Sequence, residues 1–406
     1  MRSRQAGPRH SPGAREYRED DSYRLPVAAT LVALQPHAHY RAREVTASVQ
    51  LPDGSTRPLL HIPNWDFDWQ DQYRYVQPIP LPAGAVLRMS FRYDNSQGNP
   101  RNPDYPPRRV RWGQNSTDEM GEVWFQLLAA DDEGRARLVS DSGRKVLAED
   151  AVGFETLLEV EPNNPRLHEA AAAILLALNQ PARGVAHLEQ ALALDPGSPE
   201  AHYNLATALA WQGRNDEAIA HLREALAADA AHVAARVNLG ALLRARGDRA
   251  GATRELQRAL ELAPTNAAAH ANLGGVLMQD GHVARAVSEY RAALASRPTL
   301  IEALTELAWT LATSPSDTLR VPAEAITLAE RARTLTGGQD VRVLDALAAA
   351  YAASGRYTDA TRVLDSAVLL LEPAGAEASA ARALLRTRRD IYRAGRPYRD
   401  ASRQDR

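Results

Sequence analysis

The chain has 406 residues, more than one compact core needs, so two or more units are expected. Its formal net charge of −2, with 24% charged residues, gives no global attraction to nucleic acid or to an anionic membrane surface. There is no cysteine, which excludes disulfides, thiolate metal sites and a cysteine nucleophile.

Basic charge is almost all arginine, and Lys145 is the only lysine. No apolar run approaches the roughly 18 residues of a membrane-spanning helix. Residues 1–21 are rich in Arg, Pro, Gly and Glu and lack the apolar stretch of a secretory signal. They read as a disordered tail, or else as the late start of a longer protein.

Residues 22–130 read as all-β. Apolar or alternating runs cover 27–34, 45–51, 86–93 and 123–128, and Pro52-Asp53-Gly54 and Pro82-Ala83-Gly84 supply turns between them. Trp65, Phe67, Trp69, Tyr73 and Tyr75 recur mostly at period two. They form either a core wall or a substrate platform. His61 reads as a core or rim histidine, or as a group supporting a site.

The most chemical stretch is Gln35-Pro36-His37-Ala38-His39-Tyr40, at the end of the first apolar run. Residues i and i+2 of a strand point to one side, so both imidazoles face one point. A second stretch, Ser116-Thr117-Asp118-Glu119-Met120, precedes the last apolar run. Two imidazoles and the Met120 thioether make a soft donor set, which suits Cu(I) better than zinc or magnesium. No Gly-rich phosphate loop, Gly-x-Ser-x-Gly elbow or zincin motif accompanies them.

From about residue 131 the pattern is helical and repeats every 34 residues. Pro162, Pro196, Pro264 and Pro298 are in phase, with Ala230 in the remaining place. So are Leu205, Leu239, Leu273 and Leu307, and the glycines Gly213, Gly247 and Gly281. Small alanines let paired helices approach, glycine turns the chain between them, and proline ends the second helix. This is the tetratricopeptide pattern. About six repeats are expected over 165–374, with a degenerate unit and a joining helix over 146–160 in the connector 131–164. The fifth repeat carries an insertion at Ser314-Pro315-Ser316-Asp317. Residues 376–393 read as a capping helix, and 396–406 as a frayed basic tail.

Within the array, Asn204, Asn238 and Asn272 precede the repeat leucine on successive first helices. Such a column forms a carboxamide ladder for an extended peptide, or is simply the common residue there. Arg236 would add charge on that face. His202 with His270, and His187 with His221, share repeat columns and are explained by the repetition.

The stretches at 36–40 and 116–120, with Trp65-Asp66-Phe67-Asp68-Trp69-Gln70 and Tyr93-Asp94-Asn95-Ser96, give residues 22–130 a family likeness. That segment resembles the type II copper, ascorbate-dependent monooxygenases, a family that includes peptidylglycine α-hydroxylating and dopamine β-monooxygenases. More closely, the whole chain resembles bacterial proteins joining such a domain to tetratricopeptide repeats. The resemblance implies a β-sandwich in which His37, His39 and Met120 hold the copper that meets dioxygen and a small-molecule substrate. It also implies a preceding three-histidine copper domain that supplies the second electron, and nothing here matches it. A copper oxidoreductase that is N-terminally incomplete is therefore expected, inactive by itself. Where the family's peptide-amidating members carry Arg, Asn and Tyr for the substrate carboxylate, this chain has Gln35, Glu122 and Trp124, so C-terminal glycine peptides are not expected as substrates.

The expected fold is thus multidomain: an all-β sandwich at 22–130, then an all-α solenoid ending in a cap and tail at 375–406. The expected function is a copper-binding, monooxygenase-like domain tethered to a protein-interaction array. The alternative is a non-catalytic scaffold that binds an extended peptide or partner protein. Neither a nucleic-acid partner nor membrane insertion is expected. The compartment is extracytoplasmic if an upstream signal exists and cytoplasmic otherwise.

Overall fold

The computed structural model describes residues 11–110, 117, 120–372 and 377–403. Seven strands come first: β1 (Tyr17–Arg24), β2 (Ala29–Ala38), β3 (Ala42–Gln50), β4 (Thr56–Ile62), β5 (Tyr73–Leu81), β6 (Val86–Tyr93) and β7 (Gly121–Ala129). They form two antiparallel sheets, ordered β1-β6-β3-β4 and β5-β2-β7. One buried cluster takes Leu34, Ala38 and Val123 from the second sheet and Val45, Met89, Phe91 and Tyr93 from the first. The sheets therefore face each other across a shared apolar layer, as alternating strands require.

Four strands coincide with the four predicted runs, and three are additional. β4 and β5 carry Pro58, Pro78 and Pro80, which interrupt a strand pattern. Both are edge strands, where a proline removes no ladder hydrogen bond. β1 begins inside the stretch read as a disordered tail. Its inward positions include Glu19 and Tyr23 among charged neighbours, so it carries no apolar run to see. Residues 1–10 of that tail lie outside the described residues. Of the aromatic cluster only Trp65 is core; Trp69 is 70% exposed.

Glu19 sits 7% exposed against the Phe91 register of β6. Burial, with the nearby Asp21 and Asp20 charges, pushes its carboxyl up to about 7.

The helix α1 (Asp132–Val160) starts on an Asp131 cap that accepts from the Gly134 amide. It is longer than the predicted 146–160, because the capping aspartate fixes its start. Lys145 on α1 reaches Asp21 of β1 at 2.8 Å and also pairs with Glu149. Twelve helices follow over the span where six repeats are predicted: α2 (Pro165–Ala177), α3 (Pro181–Leu194), α4 (Pro199–Trp211), α5 (Asn215–Ala228), α6 (Val233–Arg246), α7 (Arg249–Leu262), α8 (Ala267–Gln279), α9 (Val283–Ser296), α10 (Ile301–Thr313), α11 (Pro322–Leu335), α12 (Val341–Ala353) and α13 (Tyr357–Leu370). Within the first unit α2 packs on α3, and within the second α6 packs on α7, α8 on α9, α10 on α11 and α12 on α13. The capping helix is α14 (Ser379–Arg393).

The repeat residues do what their types suggest. Gly213, Gly247 and Gly281 turn the chain between paired helices at φ of 76°, 90° and 81°. Ala218, Ala252 and Ala286 are fully buried, the latter two on α7 and α9, which pack on α6 and α8. Gly274 on α8 allows the closest approach: a Cβ there would lie 2.9 Å from the Tyr290 ring on α9.

The chain divides into two compact units, Met1–Ala208 and Leu209–Arg406. The composition shift near residue 131 is not where the contacts divide. In the first unit the Lys145–Asp21 pair ties the opening helix of the array to the sandwich. No helix among the described residues is long and apolar enough to cross a membrane.

The segment read as a frayed tail is ordered through Arg403. Asp400 N–H donates to Thr313 O at 2.9 Å, and Trp309 Nε1–H donates to Asp400 Oδ2 at 2.9 Å. Arg399 donates to Ala312 O at 3.3 Å and Arg403 pairs with Glu306 at 2.9 Å, both on α10. Residues 404–406 lie outside the described set.

The raised Glu19 carboxyl sets a pH dependence. A folded-state value above the unfolded one means that the native state holds the proton more tightly. Stability is then fully present below about pH 4.5 and is lost as pH rises through about 7. Denaturation of the sandwich, followed by tryptophan fluorescence, is expected to lose roughly 2–3 kcal/mol across that window. Glu19→Gln should flatten the slope; an unchanged slope in the variant would rule this assignment out.

Candidate functional site

His37 lies near the end of β2, and His39 follows the strand. Their rings are 5.2 Å apart and edge-on. His39 is buried at 3% exposure, with Phe67 6.1 Å away and the Tyr40 ring tilted against that phenyl ring at 4.3 Å. β2 pairs with β7 through His37↔Glu122 and Ala38↔Gly121. The pairing ends there, one residue short of His39 and Met120. Directly opposed residues of an antiparallel pair share a face, so His37 and Glu122 lie on one side. The path depends on Gly121, where a Cβ would run into the Tyr93 hydroxyl and the Phe91 ring.

The hydrogen bonds select a tautomer for His37. Gln70 Nε2 donates to Phe67 O at 2.7 Å, which turns Gln70 Oε1 toward His37 Nδ1. An amide oxygen accepts, so Nδ1 must carry the hydrogen. In the neutral ring that leaves the lone pair on Nε2, which is the form a metal-binding imidazole needs. Glu122 is 5% exposed and accepts from Trp124 Nε1 at 3.2 Å. That buried side chain stands opposite His37 in the strand register.

A residue that sequence reading passed over holds this corner together. Arg41, two places after His39, is fully buried. Its guanidinium pairs with Asp104 at 2.7 Å and donates to Asn95 Oδ1 at 3.1 Å and to Thr117 O at 2.7 Å. One cation thus ties the β2–β3 turn to the segment that delivers Met120. Ser116, Asp118 and Glu119 of the sequence motif lie outside the described residues. His61 is elsewhere: on β4 it is exposed and pairs with Glu44 at 2.8 Å. Among the described residues no group of three or more His, Asp or Glu is arranged to hold a metal ion. A candidate set here therefore needs the thioether.

On the helical side, Asn204, Asn238 and Asn272 lie on α4, α6 and α8 and are each half-buried. Asn272 spends one amide hydrogen on Ala268 O at 3.0 Å, which holds its carboxamide against its own helix. In the second unit, a polar cavity of about 660 Å³ opens on the face made by the first helices of the pairs. Arg244, Met278, Tyr290, Glu302 and Glu306 line it. Arg244 stands 3.5 Å from Glu302, so both charges are presented there.

Residues 175–243, 212–273 and 243–309 each match the tetratricopeptide-repeat family model. The paired helices are tetratricopeptide repeats. Among solved structures, the array is similar to the APC/C hetero-tetramer Cut9-Hcn1, over 60% of this chain and 46% of that one, at 18% identity and a TM-score of 0.51. Identity at that level shows the fold alone. PilF of Pseudomonas aeruginosa is similar over 55% of this chain and 96% of its own, at 21% identity and a TM-score of 0.45. YrrB, described as a TPR protein with an unusual peptide-binding site, is similar over 54% and 93%, at 20% identity and a TM-score of 0.35. Comparison with curated proteins finds no match.

The tetratricopeptide period explains a column that sequence reading left partly functional. His168, His202 and His270 each donate from Nε2 to the carbonyl six residues earlier, on Pro162, Pro196 and Pro264, at 3.1, 3.1 and 2.9 Å. Arg236 occupies the same column and does the same to Ala230 O at 2.7 Å. Its guanidinium also pairs with Glu255 at 2.7 Å. Arg236 therefore braces the inter-repeat link, with its guanidinium already engaged by Ala230 and Glu255. In the first repeat the brace extends to His187, whose Nδ1 lies 3.0 Å from His168 Nδ1. Burial, reinforced by the His168 charge, lowers its proton affinity.

Removing the buried guanidinium costs Asn95 and Thr117 a donor and leaves the partly exposed Asp104 to water, a loss of about 2–3 kcal/mol. Arg41→Ala is expected to destabilise the sandwich by that order, read by urea unfolding of the full chain through tryptophan fluorescence. A loss below about 1 kcal/mol would mean that the clamp is dispensable.

Proposed function

We propose that this chain is a partner-binding protein whose tetratricopeptide array holds an extended segment of a protein or peptide. The observation that carries this reading is the mixed-charge cavity formed by α6, α8, α9 and α10. Its walls present a guanidinium, two carboxylates and the Tyr290 ring, and Asn238 and Asn272 stand on the same first helices. A peptide backbone alternates N–H and C=O, and a carboxamide can serve both. Bacterial or not, such a scaffold needs no chemistry of its own.

Peptide display against the full chain supplies the ligands for the test. The double variant Asn238→Ala, Asn272→Ala is expected to bind the selected peptides roughly tenfold or more weakly, about 1 kcal/mol for each lost bond. Selected peptides whose affinity ignores both asparagines and a Glu302→Arg change would count against this face.

A second reading is favoured by one observation, the His37 tautomer that leaves Nε2 with its lone pair. In this reading His37, His39 and Met120 hold a copper ion, and Gln70 orients the first imidazole. Copper bound there would supply dioxygen and one-electron chemistry. The chain's own part is to fix the two imidazoles at a turn clamped by Arg41. Trp124, bonded to Glu122, also lines an apolar cavity of about 1100 Å³ with Phe125 and Leu138, which suits an apolar substrate. Titration of the full chain with Cu(I), followed by X-ray absorption, is expected to show a copper–sulfur contact that Met120→Ala removes. Absence of tight binding by the full chain would sink this second reading and leave the first untouched.

A further inference from the structure

The segment after α14 behaves as a ligand of the array. Tyr392 is the last buried residue of α14, and Gly395 turns the chain at φ 67°. From Arg396 to Arg403 no residue is fully buried. The segment is held by polar bonds, nearly all to one first helix and the turn after it. Asp400 caps both Thr313 O and Trp309 Nε1. Arg403 pairs with Glu306 at 2.9 Å, and its carbonyl accepts from Ser314 Oγ at 3.0 Å. Tyr398 packs 5.9 Å from Trp309.

Three features separate this from a simple cap. The contacts are with α10, an array helix, and use the turn lengthened by the insertion at Ser314. Residues Ala401–Arg403 form one wall of the mixed-charge cavity described above. And Arg403 Nη1 and Arg244 Nε, both buried there, meet no hydrogen-bond acceptor among the described residues. The segment therefore covers part of a site that asks for further acceptors.

We propose that residues 398–403 are a self-ligand that occupies the array's recognition face, so that a partner must displace it. The partner this face fits is a short segment with an aromatic residue, an aspartate two residues on to take Trp309 Nε1, and, at the end of a helical turn like Ala401–Arg403, an arginine three residues after that to pair with Glu306. This rests on the reading of the array as a peptide-binding scaffold and names the chemistry of its ligand. Because a tethered segment works at an effective concentration of the order of millimolar, a free peptide of the same sequence competes poorly with it.

The test uses the full chain and a labelled peptide of sequence Arg-Pro-Tyr-Arg-Asp-Ala-Ser-Arg, read by fluorescence anisotropy. In the variant Asp400→Ala, Arg403→Ala the tethered copy is disarmed, and the peptide is expected to bind about tenfold or more tightly than it does to the unaltered chain. Adding Glu306→Arg to that variant should abolish binding, and a peptide ending in Glu in place of its last Arg should restore it. Equal binding to the unaltered and disarmed chains, or none to a disarmed chain that keeps its helical circular dichroism and melting temperature, overturns the proposal. A disarmed chain that binds this peptide but no displayed peptide would instead defeat the broader partner-binding reading.

Discussion

A single buried guanidinium organises the candidate chemistry of the sandwich. Arg41 is enclosed on all sides, and an enclosed cation must find its partners within the protein. It finds them on three separate stretches: Asp104, Asn95 and the Thr117 carbonyl. That requirement draws the loop between β6 and β7 in against the β2–β3 turn. His39 and the approach to Met120 are thereby held by one charge. The two sheets could stack without it; the corner where the histidines sit could not keep its shape.

The array solves a different problem, which is to join helix pairs at a fixed angle. Each link between pairs exposes a carbonyl left over at a helix end. A donor six residues on, His or Arg, closes it in four links. Fully buried alanines and a glycine beside Tyr290 set the distance between partners. Because these devices recur along the chain, much of the array's regularity comes from local bonds.

This difference decides what the sequence makes legible. Repeat boundaries are visible because the same residue types return every 34 positions, and the twelve helices α2 to α13 follow. His37 and His39 are visible because a strand has a period of two. β1 is hidden, since an inward glutamate among aspartates looks like a solvated stretch. β4 and β5 are hidden behind prolines that only edge strands tolerate. Arg41 and Arg236 mislead for one reason: a charged side chain reads as exposed until its carboxylate and carbonyl partners, 63 and 19 residues away for Asp104 and Glu255, are placed beside it. The docking of residues 398–403 is likewise a long-range event, with Asp400 meeting Trp309 at a separation of 91 residues.

The ion pair between Lys145 and Asp21 has a practical side. With one lysine in the chain, amine-directed reagents and cross-linkers have a single side-chain target, and it is engaged at the seam between β1 and α1. Such reagents will report whether that seam is open. Mapping the surface of the repeats, which is rich in arginine and carboxylates, calls for carboxyl- or guanidine-directed chemistry instead.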